Sequence, residues 1–173
     1  MSLVPSRSLF FLAFMAGALT LGASFYLEYG ALLRPCFLCL IQRTLLAVFT
    51  LINLVAALHG PKRSGIYLYW SASMLCALLG AITAVRQVLL QNIPPDQLPN
   101  CWPSLQYMIE HLSPWQALQL AFKGTVDCAE INWTLFDLSI PEWSLLFFVA
   151  MLMLGATQVS RLLFRQRFRL ARY

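Results

Sequence analysis

Leu40–Leu58, LIQRTLLAVFTLINLVAAL, is the stretch that decides the fold. Gln42 and Arg43 fall in its first turn, and from Thr44 to Leu58 it carries no charge, so only its outer end reads as polar. A helix of about this length crosses the hydrocarbon core of a bilayer. Three more apolar stretches of crossing length follow the same pattern, at Leu9–Leu27, Ile66–Val85 and Trp143–Ser160. Composition agrees with four spans. Of 173 residues 60% are apolar and 11% charged, with a mean hydropathy of +0.69. A soluble domain carries about 25% charged residues and no more than about half apolar ones. The apolar surplus exceeds what one core of this size can hide, which excludes an ordinary soluble enzyme. The expected fold is all-α: an integral membrane four-helix bundle in a single domain, residues 1–173, with a long extramembrane loop carrying short amphipathic helices.

Charge sets the orientation. There are 12 basic and 7 acidic residues, net +5. Arg7, Lys62, Arg63, Arg161, Arg165, Arg167, Arg169 and Arg172 lie before the first span, between the second and third, and after the fourth, with no acid among them. Short loops rich in Lys and Arg stay in the cytoplasm. Residues 1–8, 59–65 and 161–173 are therefore expected on the cytoplasmic side. The segments 28–39 and 86–142 then face the other way and hold all seven acids. The tail from Arg161 needs no nucleic-acid partner, because anionic lipid beneath a membrane helix attracts such residues at about 1 kcal/mol each. The 20-residue run Ser8–Leu27 exceeds the about 7–15 residues of a signal-peptide apolar region. It reads as a retained helix. No internal repeat or low-complexity tract is present.

With this topology Cys36, Cys39, Cys101 and Cys128 fall on the non-cytoplasmic side, and Cys76 falls halfway along the third span. Paired thiols in an oxidising compartment form disulfides. Cys36 and Cys39 stand in Pro-Cys-Phe-Leu-Cys, a loop too short to gain much chain-entropy stabilisation. The motif also sits where loop becomes helix, and a helix N-terminus activates a nearby thiol. That pair suits chemistry better than bracing. Cys101 lies in a strip that contains Pro94, Pro95, Pro99 and Pro103, an extended chain suited to another protein's groove. Cys128 follows Gly124 and stands between Asp127 and Glu130, in a flank that gives no sign of burial. Cys76 reads as a small hydrophobe.

The loop holds two helical patterns. Leu105, Met108, Ile109 and Leu112 form an apolar stripe. Ser113-Pro114-Trp115-Gln116 reads as a capping box with proline at the first helical position, followed by Trp115, Leu118 and Phe122 on one face. Such a helix lies on the membrane or packs on the bundle, and in both cases it tethers the loop near Cys36 and Cys39. Arg43, four residues after Cys39, shares its helical face just inside the apolar span. A charge there snorkels or serves function. Two dithiol pairs store four electrons, and the chain has no nucleotide loop and no haem-attachment motif, so turnover needs an outside acceptor. A quinone dissolved in the bilayer meets that need, with Arg43 placed to bind one of its oxygens.

Together these features resemble the bacterial disulfide bond formation protein B family over essentially the whole chain. The carriers are four helices, Pro-Cys-Phe-Leu-Cys at the second, an arginine four residues later, Asn-Cys-Trp-Pro around Cys101 and Asp-Cys-Ala-Glu around Cys128. The resemblance implies an inner-membrane thiol:quinone oxidoreductase that reoxidises DsbA, a periplasmic thioredoxin-fold dithiol oxidase. It implies redox disulfides Cys36–Cys39 and Cys101–Cys128, with Cys101 meeting the partner and electrons crossing through a Cys36–Cys128 disulfide. Cys39 then delivers them to ubiquinone, or to menaquinone when oxygen is short, with Arg43 at the ring and no metal. DsbA is a strong oxidant, at about −120 mV, and each 30 mV of uphill transfer costs about 1.4 kcal/mol. A quinone supplies that drive where an ordinary disulfide does not.

Two positions depart from better-known members, with Gln42 where glutamate is frequent and Gln87 where some carry histidine. Neither is expected to touch the cysteine relay; both bear on quinone protonation, since a neutral amide is neither acid nor base near neutral pH. Other readings are an oxidase for a different thioredoxin-fold partner, an enzyme like vitamin K epoxide reductase, an all-thiolate zinc site, and a non-catalytic scaffold braced by disulfides.

Overall fold

Long uncharged runs with no internal proline form four long helices, because a backbone in lipid must satisfy its own hydrogen bonds. In the computed structural model, which describes residues 6–33, 35–94, 98, 113–124, 126–129, 131 and 133–170, these are α1 (Ser6–Tyr29), α2 (Phe37–His59), α3 (Arg63–Leu90) and α6 (Ile140–Leu170). Each is long and apolar enough to cross a membrane, over Arg7–Tyr29, Phe37–His59, Ser64–Leu90 and Ile140–Arg161. The protein is a multi-pass helical membrane protein. Between α3 and α6 lie α4 (Pro114–Lys123), α5 (Val126–Ala129) and a two-stranded hairpin, β1 (Thr134–Leu135) and β2 (Leu138–Ser139). The stripe at Leu105–Leu112 and the strip around Cys101 fall outside the described residues.

The helices alternate in direction. α2 packs between α1 and α3, and α3 packs on α6. Small residues let the helices approach, as expected where lipid gives no hydrophobic drive to association. Ala13 of α1, Leu46 and Phe49 of α2, Ala77 and Ala81 of α3 and Phe148 of α6 form the central core. Gly80 marks a tight contact, since a Cβ there would stand 2.4 Å from the Phe148 ring. At the end away from the cysteines, Phe10 stacks on Trp70 at 4.8 Å, and Arg7 Nε donates to the Ala57 carbonyl at 2.7 Å. Large apolar side chains such as Leu19, Leu58, Leu68 and Met153 remain exposed on the outer faces, where lipid would meet them.

The second span is not polar at its outer end alone. Asn53, fully buried at mid-helix, donates from Nδ2 to the Phe49 carbonyl at 2.8 Å and to Ser73 Oγ of α3 at 3.1 Å. An interhelical hydrogen bond of this kind holds α2 to α3 inside the membrane. The hairpin is likewise an addition to the helical reading. Its two-residue turn puts Phe136 at φ 53° and Asp137 at φ 62°, the left-handed geometry usually signalled by Asn-Gly. Phe-Asp carries no such signal. The hairpin leads into α6 through Ser139, whose backbone N–H donates to Glu142 Oε2 at 2.6 Å.

Candidate functional site: a thiol pair beside an apolar cleft

The start of α2 is capped by sulfur. Cys36 takes the N-cap with extended backbone, φ −72° and ψ 169°, and its Sγ accepts from the Cys39 N–H at 3.4 Å. Cys39 sits in the first turn with its sulfur 3.0 Å from Cys36 Sγ. That is longer than a disulfide bond of about 2.05 Å, and both cysteines are unbridged in the structure.

Behind the sulfurs stands Gln87 of α3, buried, with Nε2 3.1 Å from Cys39 Sγ and 3.3 Å from Cys36 Sγ. Its Oε1 accepts from Nε2 of the buried Gln42, one turn into α2, at 2.8 Å. This corrects the expectation that neither glutamine touches the cysteine relay. Gln87 lies 48 positions from Cys39 in sequence, and packing of α3 on α2 closes that distance.

Cys128 is also not where its flanks suggest. It is 1% exposed, in a cluster with Leu38 and Leu90 against which Cys36 packs. Gly124 makes this possible. Its φ is +79°, and a Cβ there would meet the Leu90 side chain at 2.4 Å, so only glycine lets the chain turn so close over α3. Arg86 fastens the same corner, donating from Nε to the Phe122 carbonyl at 2.7 Å at the end of α4. The other end of α4 begins with the expected capping box, with Ser113 and Gln116 bonded reciprocally. Trp115 is exposed there. The structure thus brings Cys36, Cys39 and Cys128 together. Cys101 lies outside the described residues, and Cys76 is half-buried against the central core.

Hydrogen bonding to Cys128 first, then to Cys39, and then burial push the Cys36 thiol well above its ordinary range. An unfolded cysteine loses its proton near pH 8.5, while folded Cys36 keeps it. The reduced fold therefore loses stability as pH rises through that range. In reduced protein, iodoacetamide at pH 8.5 is expected to modify Cys36 at least tenfold more slowly than in the chain unfolded in denaturant, because only thiolate reacts. Mass mapping of the alkylated peptides checks this, and equal rates would contradict it.

Arg43 is held by α1. It pairs with the Glu28 carboxylate, and its Nε donates to Ser24 Oγ at 3.0 Å and its Nη2 to the Ser24 carbonyl at 3.3 Å. Its guanidinium lies 4.7 Å from the centroid of the Phe25 ring. Glu28, expected in the first loop, is instead on the last turn of α1, one helical turn beyond Ser24. Arg43 and Cys39 border a cleft of about 630 Å³ between α1, α2 and α6, lined by apolar side chains that include Leu27, Leu46, Trp143 and Phe147. A smaller pocket of about 80 Å³ joins Cys36, Cys39, Gln87 and Arg43 to Trp133 and Pro141. Among the described residues no group of three or more His, Cys, Asp or Glu side chains is arranged to hold a metal ion.

A four-span helical membrane protein with a thiol pair at the lip of one span and a third cysteine against it has the parts that a membrane-embedded thiol oxidoreductase requires. The family profile described as "Disulfide bond formation protein DsbB" matches residues 6–158. Among curated proteins, Disulfide bond formation protein B 2 of Pseudomonas fluorescens (strain Pf0-1) is 54% identical over 93% of this chain and 88% of its own length. Disulfide bond formation protein B 1 of Pseudomonas aeruginosa (strain PAO1) is 46% identical over 93% and 99%. Disulfide bond formation protein B of Stutzerimonas stutzeri (strain A1501) is 45% identical over the same shares. The chain belongs to the disulfide bond formation protein B (DsbB) family, whose work is membrane-based disulfide bond formation.

Proposed function

We propose that the protein oxidises the dithiol of a DsbA-like thioredoxin-fold partner in the periplasm and passes the electrons to a membrane quinone. It would sit in the bacterial inner membrane with both termini cytoplasmic, as its basic segments favour. The observation that carries the reading is Cys39 between two neighbours: Cys36, backed by Cys128 of the loop, and the apolar cleft beside Arg43. The partner's two thiols would reduce a Cys101–Cys128 disulfide, giving up two electrons and two protons. The burial of Cys128 against Cys36 supports transfer to the Cys36–Cys39 pair through a Cys36–Cys128 disulfide.

The cleft suits a quinone in size and lining, since ligand sites of about 300–1,000 Å³ are mostly apolar with a few polar groups. Bound there, ubiquinone or menaquinone would accept two electrons and two protons. Three of the five guanidinium N–H groups of Arg43 are engaged among the described residues, which leaves donors for a carbonyl oxygen. Glu28 and Ser24 fix the plane of that guanidinium, and Cys39 Sγ borders the same space.

A Cys128→Ser variant leaves Cys101 without its companion. It is expected to form a covalent, reducible complex when mixed with the oxidised partner, and to form none when Cys101 is also replaced. Absence of any complex with a partner proven active would favour a non-catalytic scaffold, a reading for which the burial of Cys128 is the supporting observation.

A further inference from the structure

The pair Gln42–Gln87 is buried, joins two helices and ends on both reactive sulfurs. Its polarity is directional. Gln42 gives an N–H to Gln87 Oε1, which commits that oxygen and turns the Gln87 NH₂ toward the sulfurs. That group has two hydrogens. It finds two acceptors, Cys39 Sγ at 3.1 Å and Cys36 Sγ at 3.3 Å, while Oε1 also accepts from the Cys39 thiol at 3.6 Å, a bond that only the reduced sulfur can make. Reduced sulfur accepts a hydrogen bond better than disulfide sulfur, because its electron density is higher. An amide N–H held against both sulfurs therefore stabilises the dithiol over the disulfide and makes the pair more oxidising.

We propose that Gln87 sets the redox potential of the Cys36–Cys39 pair by donating to its sulfurs, and that Gln42 is the positioning residue that orients the Gln87 amide. The inference rests on the reading of Cys36 and Cys39 as a redox couple. Reduction breaks their S–S bond and takes up two electrons and two protons, leaving two thiols. In a glutathione buffer two glutathione thiols supply them and become one glutathione disulfide. A raised potential lets the pair draw electrons from the loop cysteines while leaving the last, downhill step to the acceptor. Neither glutamine ionises near neutral pH, so the adjustment holds across that range.

The test equilibrates the full-length, detergent-solubilised protein with glutathione buffers and reads the Cys36–Cys39 state by differential alkylation and mass spectrometry, with no quinone present. Gln87→Met, nearly isosteric and without a donor, is expected to shift the equilibrium about tenfold toward disulfide, about 30 mV lower in potential. Gln42→Met is expected to shift it in the same direction by about threefold. The double variant should match Gln87→Met alone, since Gln42 acts only through Gln87. Should Gln87→Met fail to accumulate, Gln87→Asn is read the same way, because it withdraws the amide by one methylene. An unmoved equilibrium in the Gln87 variants, or a Gln42→Met shift that persists undiminished beside Gln87→Met, overturns the inference. If the unsubstituted pair forms no disulfide at any buffer ratio, it is the functional reading that fails.

Discussion

Replacing Cys39 by serine is expected to lower quinone-linked turnover by on the order of 10³-fold or more, with the protein still folded. The sulfur that borders both Cys36 and the cleft is the only group placed to pass electrons from one to the other among the described residues. Removing the group that makes and breaks the bond typically costs several orders of magnitude. Folding should survive, because oxygen replaces a half-buried sulfur and the N-cap on α2 comes from Cys36. Steady-state oxidation of a reduced thioredoxin-fold partner, with gel filtration of the variant as control, measures this. A variant that turns over at a tenth of the normal rate or better would remove Cys39 from the route.

Arg43→Met is expected to raise the quinone KM by about ten- to a hundredfold, the equivalent of a lost charge-assisted hydrogen bond of about 1.5–3 kcal/mol. The rate at saturating quinone should fall much less, as it does when binding rather than the chemical step is weakened. Methionine keeps the apolar stem of the side chain while removing the guanidinium that Glu28 and Ser24 hold at the cleft. The Cys36–Cys39 equilibrium in glutathione buffer should stay within twofold, since among the described residues Gln87, not Arg43, touches those sulfurs. An unchanged KM would show that the arginine serves only to pin α1 to α2.

The membrane architecture was legible because lipid imposes one rule over many residues at once. Long uncharged runs such as Thr44–Leu58 have no stable form in a bilayer other than a helix. The lip of the site was legible for a local reason, since Pro-Cys-Phe-Leu-Cys stands at a loop-to-helix boundary and Cys36 caps α2 there. The capping box at Ser113 was legible on the same grounds. What escaped depends on which helix packs against which. The contact of Gln87 with Cys36 and Cys39 spans about half a hundred positions and exists only because α3 lies on α2. Glu28 looked like a loop acid because α1 extends past its apolar run to Tyr29. Burial of Cys128 hinges on Gly124, whose positive φ no neighbouring residue announces. The start of α6 did carry a signal, since Ser139-Ile-Pro-Glu142 has the spacing of a capping box with an early proline.

Electron transfer from a protein dithiol to a membrane quinone is read most directly as turnover by the unsubstituted protein. Purified protein in detergent is mixed with ubiquinone and an excess of reduced DsbA-like partner, and the loss of oxidised-quinone absorbance is followed alongside the loss of partner thiols. The expected result is many quinones reduced per protein molecule, with two thiols lost for each. Quinone that stays oxidised while the same partner proves active toward another oxidant would contradict the account.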